Sequence, residues 1–178
     1  MSTIKASSLK GRPVVSVNDA EKLGSIADVF FDLASGQVVA FHISPGLIGS
    51  LKTLLAPNIS TIGADAITIK DKAALQNQAG ANYQTAVGLN QLQGMKVVSD
   101  QGTLLGTLGD VALDPVTLRI DCYEMSGSLW QHIRNTERTF AQVPGLRFGK
   151  DLIIVPDAVA AELEGRIAAP PLPDAPAP

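Results

Sequence analysis

Cysteine, histidine and aromatic residues are all scarce in this chain of 178 residues. There is one cysteine, Cys122, and two histidines, His42 and His132, while aromatics make up 4% of the sequence. A lone cysteine closes no internal disulfide and builds no thiolate zinc cage. Two histidines far apart in sequence offer no metal-ligand spacing, and no G-x-S-x-G elbow or EF-hand loop occurs. Charge is also thin: 17% of residues are Asp, Glu, Lys or Arg, against about 25% in an average soluble domain. A net charge of −3 supplies no field to draw in a nucleic-acid backbone, so nucleic acid is not an expected partner. No apolar run reaches the roughly 18 residues needed to cross a bilayer as a helix. The opening stretch has neither the continuous apolar core nor the small-residue cleavage site of a secretory signal. These absences lead to the expectation of a soluble, cytoplasmic, non-enzymatic chain with no cofactor and no metal.

Hydrophobic residues, at 46%, are plentiful. That is ample core for one ordinary domain or two small ones, with apolar surface left over for a domain or subunit contact. The arrangement is repetitive. "LGSIADVFFD" (Leu23 to Asp32) returns as "LGTLGDVALD" (Leu105 to Asp114), 82 positions later. "LKGRPVVS" from Leu9 matches "LQGMKVVS" from Leu92, "VVAFHI" from Val38 matches "IDCYEM" from Ile120, and "GADAITI" from Gly63 matches "GKDLIIV" from Gly149. The same signals in the same order make a tandem duplication, with copies at 4–80 and 87–168.

Within each copy the apolar period is two. Val29 and Phe31 in the first copy, with Val111 and Leu113 in the second, share one strand face and are expected to point inward. Ile26, Asp28, Phe30 and Asp32 fall on the other. Helix is expected only at the copy ends, where Asp71 and Asp157 stand as caps before "KAALQNQA" and "AVAAELEGRIAA". Residues 76–88 read as a connector. Residues 169–178 read as a disordered, Pro-rich tail.

Leu9-x-Gly11 before a Val-Val strand, Leu23-Gly24-x-x-x-Asp28-Val29 with Asp32 after it, and Ile62-Gly63-x-Asp65-Ala66-Ile67-Thr68-Ile69 together resemble the PRC-barrel family, named for the cytoplasmic domain of the photosynthetic reaction-centre H subunit. The likeness runs from Leu9 to Ile69 and again, more loosely, from Leu92 to Val155. It implies an all-β chain of two tandem small antiparallel β-barrels, each followed by a short helix. It also implies assembly or adaptor work, since the family has no shared catalytic residues. The membrane-spanning helix that precedes the domain in the H subunit has no counterpart in this sequence.

The paired aspartates Asp28/Asp32 and Asp110/Asp114 could present carboxylates to a hard cation. Their plainer reading is solvated strand positions for Asp28 and Asp110, and turn-forming Asx residues for Asp32 and Asp114. His42 aligns with Glu124 as a polar strand position, and Cys122 aligns with Ala40 as a small packing residue. The segments joining matched strands differ most. Ser44 to Thr61 is apolar with one cation, Lys52, whereas Ser126 to Arg147 carries the chain's tryptophan. Trp130, Arg134 and Arg138 recur at spacing four, with Arg147 beyond them. Trp and Arg are the residues enriched at interface hot spots, so these four are the expected partner-binding group. Phe30, opposite Ala112 in the alignment, needs cover from outside its own barrel and joins that group. The expectation is therefore a protein-binding adaptor, with self-association as one route. The alternatives are a peripheral membrane or photosynthetic-assembly role through Leu47 to Leu55, and a small-molecule site in the groove between barrels.

Overall fold

The structure, a computed structural model, describes residues 2–77, 85–126 and 138–165. The first copy contains β1 (Ile4–Lys5), β2 (Pro13–Ser16), β3 (Glu21–Asp32), β4 (Gln37–Ser44), β5 (Lys52–Leu55), β6 (Ile59–Ile62), β7 (Ile67–Ile69) and β8 (Leu75–Gln76). The second contains β9 (Val87–Gly88), α1 (Leu89–Leu92), β10 (Lys96–Ser99), β11 (Leu104–Leu113), β12 (Ile120–Ser126), β13 (Thr139–Ala141), β14 (Arg147–Phe148), β15 (Leu152–Val155) and α2 (Asp157–Gly165). The described residues form two curled sheets. One runs β6-β7-β2-β3-β4-β5-β8, and the other runs β13-β12-β11-β10-β15-β14.

Six strands of each sheet share one order, β6-β7-β2-β3-β4-β5 matching β14-β15-β10-β11-β12-β13, and β8 extends the first sheet beyond β5. β2 and β7 pair in parallel, as do β10 and β15, while the other pairs are antiparallel. Bulges fall at matched places, between Val14 and Val15 and between Val97 and Val98. A second matched pair lies between Ile26 and Asp28 and between Leu108 and Asp110. These last bulges correct the strict two-residue period expected of β3. An extra residue, Ala27 or Gly109, shifts the phase, so Ile26 and Leu108 face inward together with Val29, Phe31, Val111 and Leu113. All six are essentially fully buried.

Helix is not confined to the copy ends. A single 3-10 turn, Ala6–Leu9, opens the first copy and α1 opens the second. Asp71 caps as expected, accepting from Ala73 N at 2.9 Å, but its helix is only the 3-10 turn Lys72–Ala74, after which the chain extends into β8. Asp157 lies inside the first turn of α2, where its carboxylate accepts from the Gln101 side-chain amide at 3.1 Å. The remainder of the connector and the Pro-rich tail lie outside the described residues.

The copies exchange their first strands. β1, at the start of the first copy, pairs with β11 of the second through Ile4↔Leu113 and Lys5↔Ala112. β9, at the start of the second, pairs with β3 of the first through Val87↔Phe31 and Gly88↔Phe30. The reason lies in strand length: β3 and β11 far outrun their four-residue neighbours β2 and β10, and an uncovered strand edge invites pairing. A second contact joins the starts of β4 and β12. Val38 N donates to Leu118 O at 2.9 Å and Ile120 N donates to Gly36 O at 2.8 Å, with Gln37 bridged to Arg119 between them. Residues 36–38 correspond to 118–120, so this ladder is self-complementary and a pseudo-twofold axis passes through it. The buried side chains of both copies form one continuous cluster, with Leu9 of the 3-10 turn and Leu89 and Leu92 of α1 fully buried in it.

Candidate functional site

Two aspartates lock the exchange. Asp110 accepts from Val111 N at 2.8 Å within its own strand, and also from Ser7 N at 3.1 Å and the Ser7 hydroxyl across the joint. Asp28 does the equivalent, accepting from Val29 N at 2.9 Å and from Asn90 N at 3.2 Å. Each carboxylate thus satisfies a backbone donor at the start of the other copy's first helical turn, a place where such donors otherwise lack partners. Both are 8% exposed, which corrects the reading of these positions as solvated. Asp32 and Asp114 do form the expected turns. Asp32 accepts from Ala34 N at 3.1 Å and the Ser35 hydroxyl at 2.6 Å, and Asp114 accepts from Val116 N and Thr117 N at 2.7 and 2.8 Å. Asp28 takes both of its bonds on Oδ1, and no group of three or more His, Cys, Asp or Glu side chains that could hold a metal ion occurs among the described residues.

The two joints differ at one matched set of side chains. In one, the Phe30 ring tilts against His42 with centroids 4.3 Å apart, and Gly88 lies across the ladder. A Cβ at Gly88 would come within 2.5 Å of Asp28 Oδ2 and 3.2 Å of the Phe30 ring, so only glycine brings β9 this close. In the other, Ala112 stands where Phe30 would be, and Lys5 in place of glycine reaches Glu124 at 2.6 Å. The bulky group comes from the long strand in one joint and from the exchanged strand in the other.

Burial beside Phe30 holds the His42 imidazole below its ordinary value, and the Asp28 carboxylate opposes only part of that effect. The unfolded chain therefore takes up the proton near pH 6.5 while the folded protein still resists it. His42 contributes stability that is present above that point and lost as pH falls through the lower folded value. Urea unfolding followed between about pH 7 and 5 should show a decline in wild type that is shallower in His42→Gln. Equal slopes would remove His42 from the account. Hydrogen bonds hold Asp19, Asp32 and Asp114 below the ordinary carboxylate value of 3.8, so their contributions fade only in more acidic solution.

Of the residues expected to bind a partner, Trp130 and Arg134 lie outside the described residues, as does His132. Phe30 is half-buried in the first joint. Arg138 is also half-buried: its Nη1 donates to Leu105 O at 3.1 Å and its Nη2 to Leu163 O at 3.5 Å, tying β11 to the last turn of α2. Arg147 is exposed on β14, at the opposite end of the strand order from β13, which Arg138 precedes. Half-burial and the carboxylates of Asp121 and Glu124 raise the Cys122 thiol, which keeps it protonated and a poor nucleophile at neutral pH.

The most exposed large apolar groups sit elsewhere. Between β4 and β5 the loop tip presents Leu47 and Ile48, 106% and 91% exposed, followed by the half-exposed Leu51. Gly46 and Gly49 flank the tip with φ of +111° and +122°, a reversal that residues with a Cβ adopt only under strain. No helix among the described residues is long and apolar enough to cross a membrane.

Residues 1–76 match the family model of the PRC-barrel domain. The match ends at the last residue of β8, and the strand registers above relate the second copy to the matched one. No curated protein matches the chain.

Proposed function

From a PRC-barrel domain in residues 1–76, joined to a second copy with the same order of six strands, we propose that this chain is a non-catalytic cytoplasmic adaptor that binds protein through the segments joining its matched strands. The observation that carries this reading is the loop tip of Leu47 and Ile48. Two adjacent aliphatic side chains are held fully in water by a tight, glycine-flanked turn, although the core has apolar residues in plenty. Strands are committed to ladders and packing, whereas such segments are free to carry recognition. The matching segment of the second copy brings Trp130 and Arg134 in its sequence, so the two segments would engage different surfaces.

Leu47→Ser with Ile48→Ser is expected to remove partners retained by wild type in quantitative affinity capture, while stability changes by less than about 1 kcal/mol, as at surface sites. A parallel Trp130→Ala, Arg134→Ala variant should remove a different set. Identical capture profiles for all three proteins would contradict the adaptor reading. Co-sedimentation of wild type with anionic vesicles, abolished by the Leu47 and Ile48 changes, would assign the tip to a membrane surface instead.

A further inference from the structure

The regions flanking the pseudo-twofold axis should look alike, and they do not. On one side Gln142 closes the joint: its Nε2 donates to Leu33 O at 3.0 Å, and its Oε1 accepts from the Tyr123 hydroxyl. The side chain packs on the turn of the other copy, where a Cβ added to Gly36 would sit 3.3 Å from Gln142 Cγ. Register identifies the counterpart. Cys122 pairs with Ala141 as Ala40 pairs with Leu55, so Gln142 corresponds to Ala56. By the same registers Tyr123 corresponds to Phe41, which has no hydroxyl, and Leu33 to Pro115.

Where one joint holds a carboxamide, the other therefore has a methyl group and open space. The result is a groove of about 870 Å3 between Leu55–Ile62 of the first copy and Pro115–Leu118 of the second. Small-molecule sites span roughly 300–1,000 Å3. Val38, Leu55, Pro57, Ile62, Val116 and Leu118 contribute apolar wall, and Gln37, Ser60, Thr61 and Thr117 contribute hydrogen-bonding side chains. No ionisable side chain lines it. The groove continues the established inter-copy ladder, since the bonded pair Val38 and Leu118 belongs to its wall. Leu118 takes a left-handed backbone, φ +56°, where the first copy has Gly36 at +66°. A leucine there carries strain that glycine would relieve, and it adds apolar wall.

We propose that this groove binds a small, uncharged, largely apolar molecule with an N–H or O–H donor, which takes the place that Gln142 holds in the other joint. A charged ligand would lose its hydration and find no opposite charge. An apolar body gains from leaving water against these walls. The donor follows from the symmetry: Leu33 O accepts the Gln142 amide, and Pro115 O is the corresponding carbonyl. The wall is also preformed, because Asp114 pins the turn through Val116 N and Thr117 N. The lining lacks the aromatic side chains on which Pro-rich segments dock, so the chain's own tail is a poor occupant.

The test is a fluorescence titration of the full chain with N-phenyl-1-naphthylamine, a neutral apolar dye with one N–H donor. Saturable binding at one site per chain is expected. Ala56→Gln, which rebuilds the closed joint, should weaken binding by about tenfold or more. Val116→Asp, at a wall position 88% exposed and so tolerant of change, should do the same without touching the core. Gln142→Ala should open the counterpart groove and raise the stoichiometry towards two. Leu47→Ser with Ile48→Ser should leave binding unchanged. Absence of saturable binding overturns the proposal, as does binding lost with Leu47 and Ile48 but kept in Ala56→Gln. Binding that tightens on removal of residues 169–178 would place the tail in the groove. Binding that falls as the chain self-associates would place a second copy there. Either result also overturns it.

Discussion

Replacing Asp110 with alanine is expected to destabilise the protein by about 3–5 kcal/mol, read as a lowered urea midpoint with an unchanged slope. The carboxylate is buried and accepts three hydrogen bonds, from Val111 N, Ser7 N and the Ser7 hydroxyl. Removing it takes the carboxylate acceptor from two backbone donors in the joint, of which the Val111 N–H is buried. Asp28→Ala should cost less, because Asp28 accepts only from Val29 N and Asn90 N among these positions. Ser7→Ala, which leaves the carboxylate and the backbone bond in place, should cost only about 1 kcal/mol. A change of less than about 1 kcal/mol in Asp110→Ala would mean that the joint is solvated and the aspartates are surface groups.

The second large effect belongs to Leu9 and Leu92. These leucines hold matched positions in the first helical turns of the two copies, and both are fully buried. The turn Ala6–Leu9 packs on β11 as well as β3, and α1 likewise packs on β3 as well as β11. Leu→Ala at either position removes a buried side chain and leaves a cavity, at about 2–5 kcal/mol. Because each turn packs on strands from both copies and each leucine belongs to the shared buried cluster, each variant should lower the unfolding midpoint of the whole chain. Two resolved transitions, only one of them shifted, would refute the shared core.

Much of this architecture could be read from local pattern. The duplication, the inward Val29 and Val111, and the Asx turns at Asp32 and Asp114 all rest on short-range signals. A strict two-residue period puts Ile26 on the outward face, whereas a bulge adds one residue and turns it inward, and nothing about Ala27 marks a bulge. The exchanged strands β1 and β9 are two residues long, too short to show any period, and their partners lie far along the chain. For the same reason Asp28 and Asp110 read as solvated: their burial depends on helical turns supplied by the other copy. The groove is subtler still. It follows from Ala56 standing opposite Gln142, and that correspondence emerges only when β5 and β13 are matched by register. Trp130 and Arg134 stand out by residue type alone, and they lie outside the described residues.

The central claim is that exchange of first strands makes the two copies a single cooperative unit. Native-state hydrogen exchange of Leu9→Ala at low denaturant tests it most directly, because Leu9 belongs to the first copy by sequence and is buried in a core that spans both. The account predicts that slow amides of β11 and β12 lose protection together with those of β3 and β4, by the same free energy. Loss confined to β3 and β4, with β11 and β12 as protected as in wild type, would make the copies independent domains and contradict it.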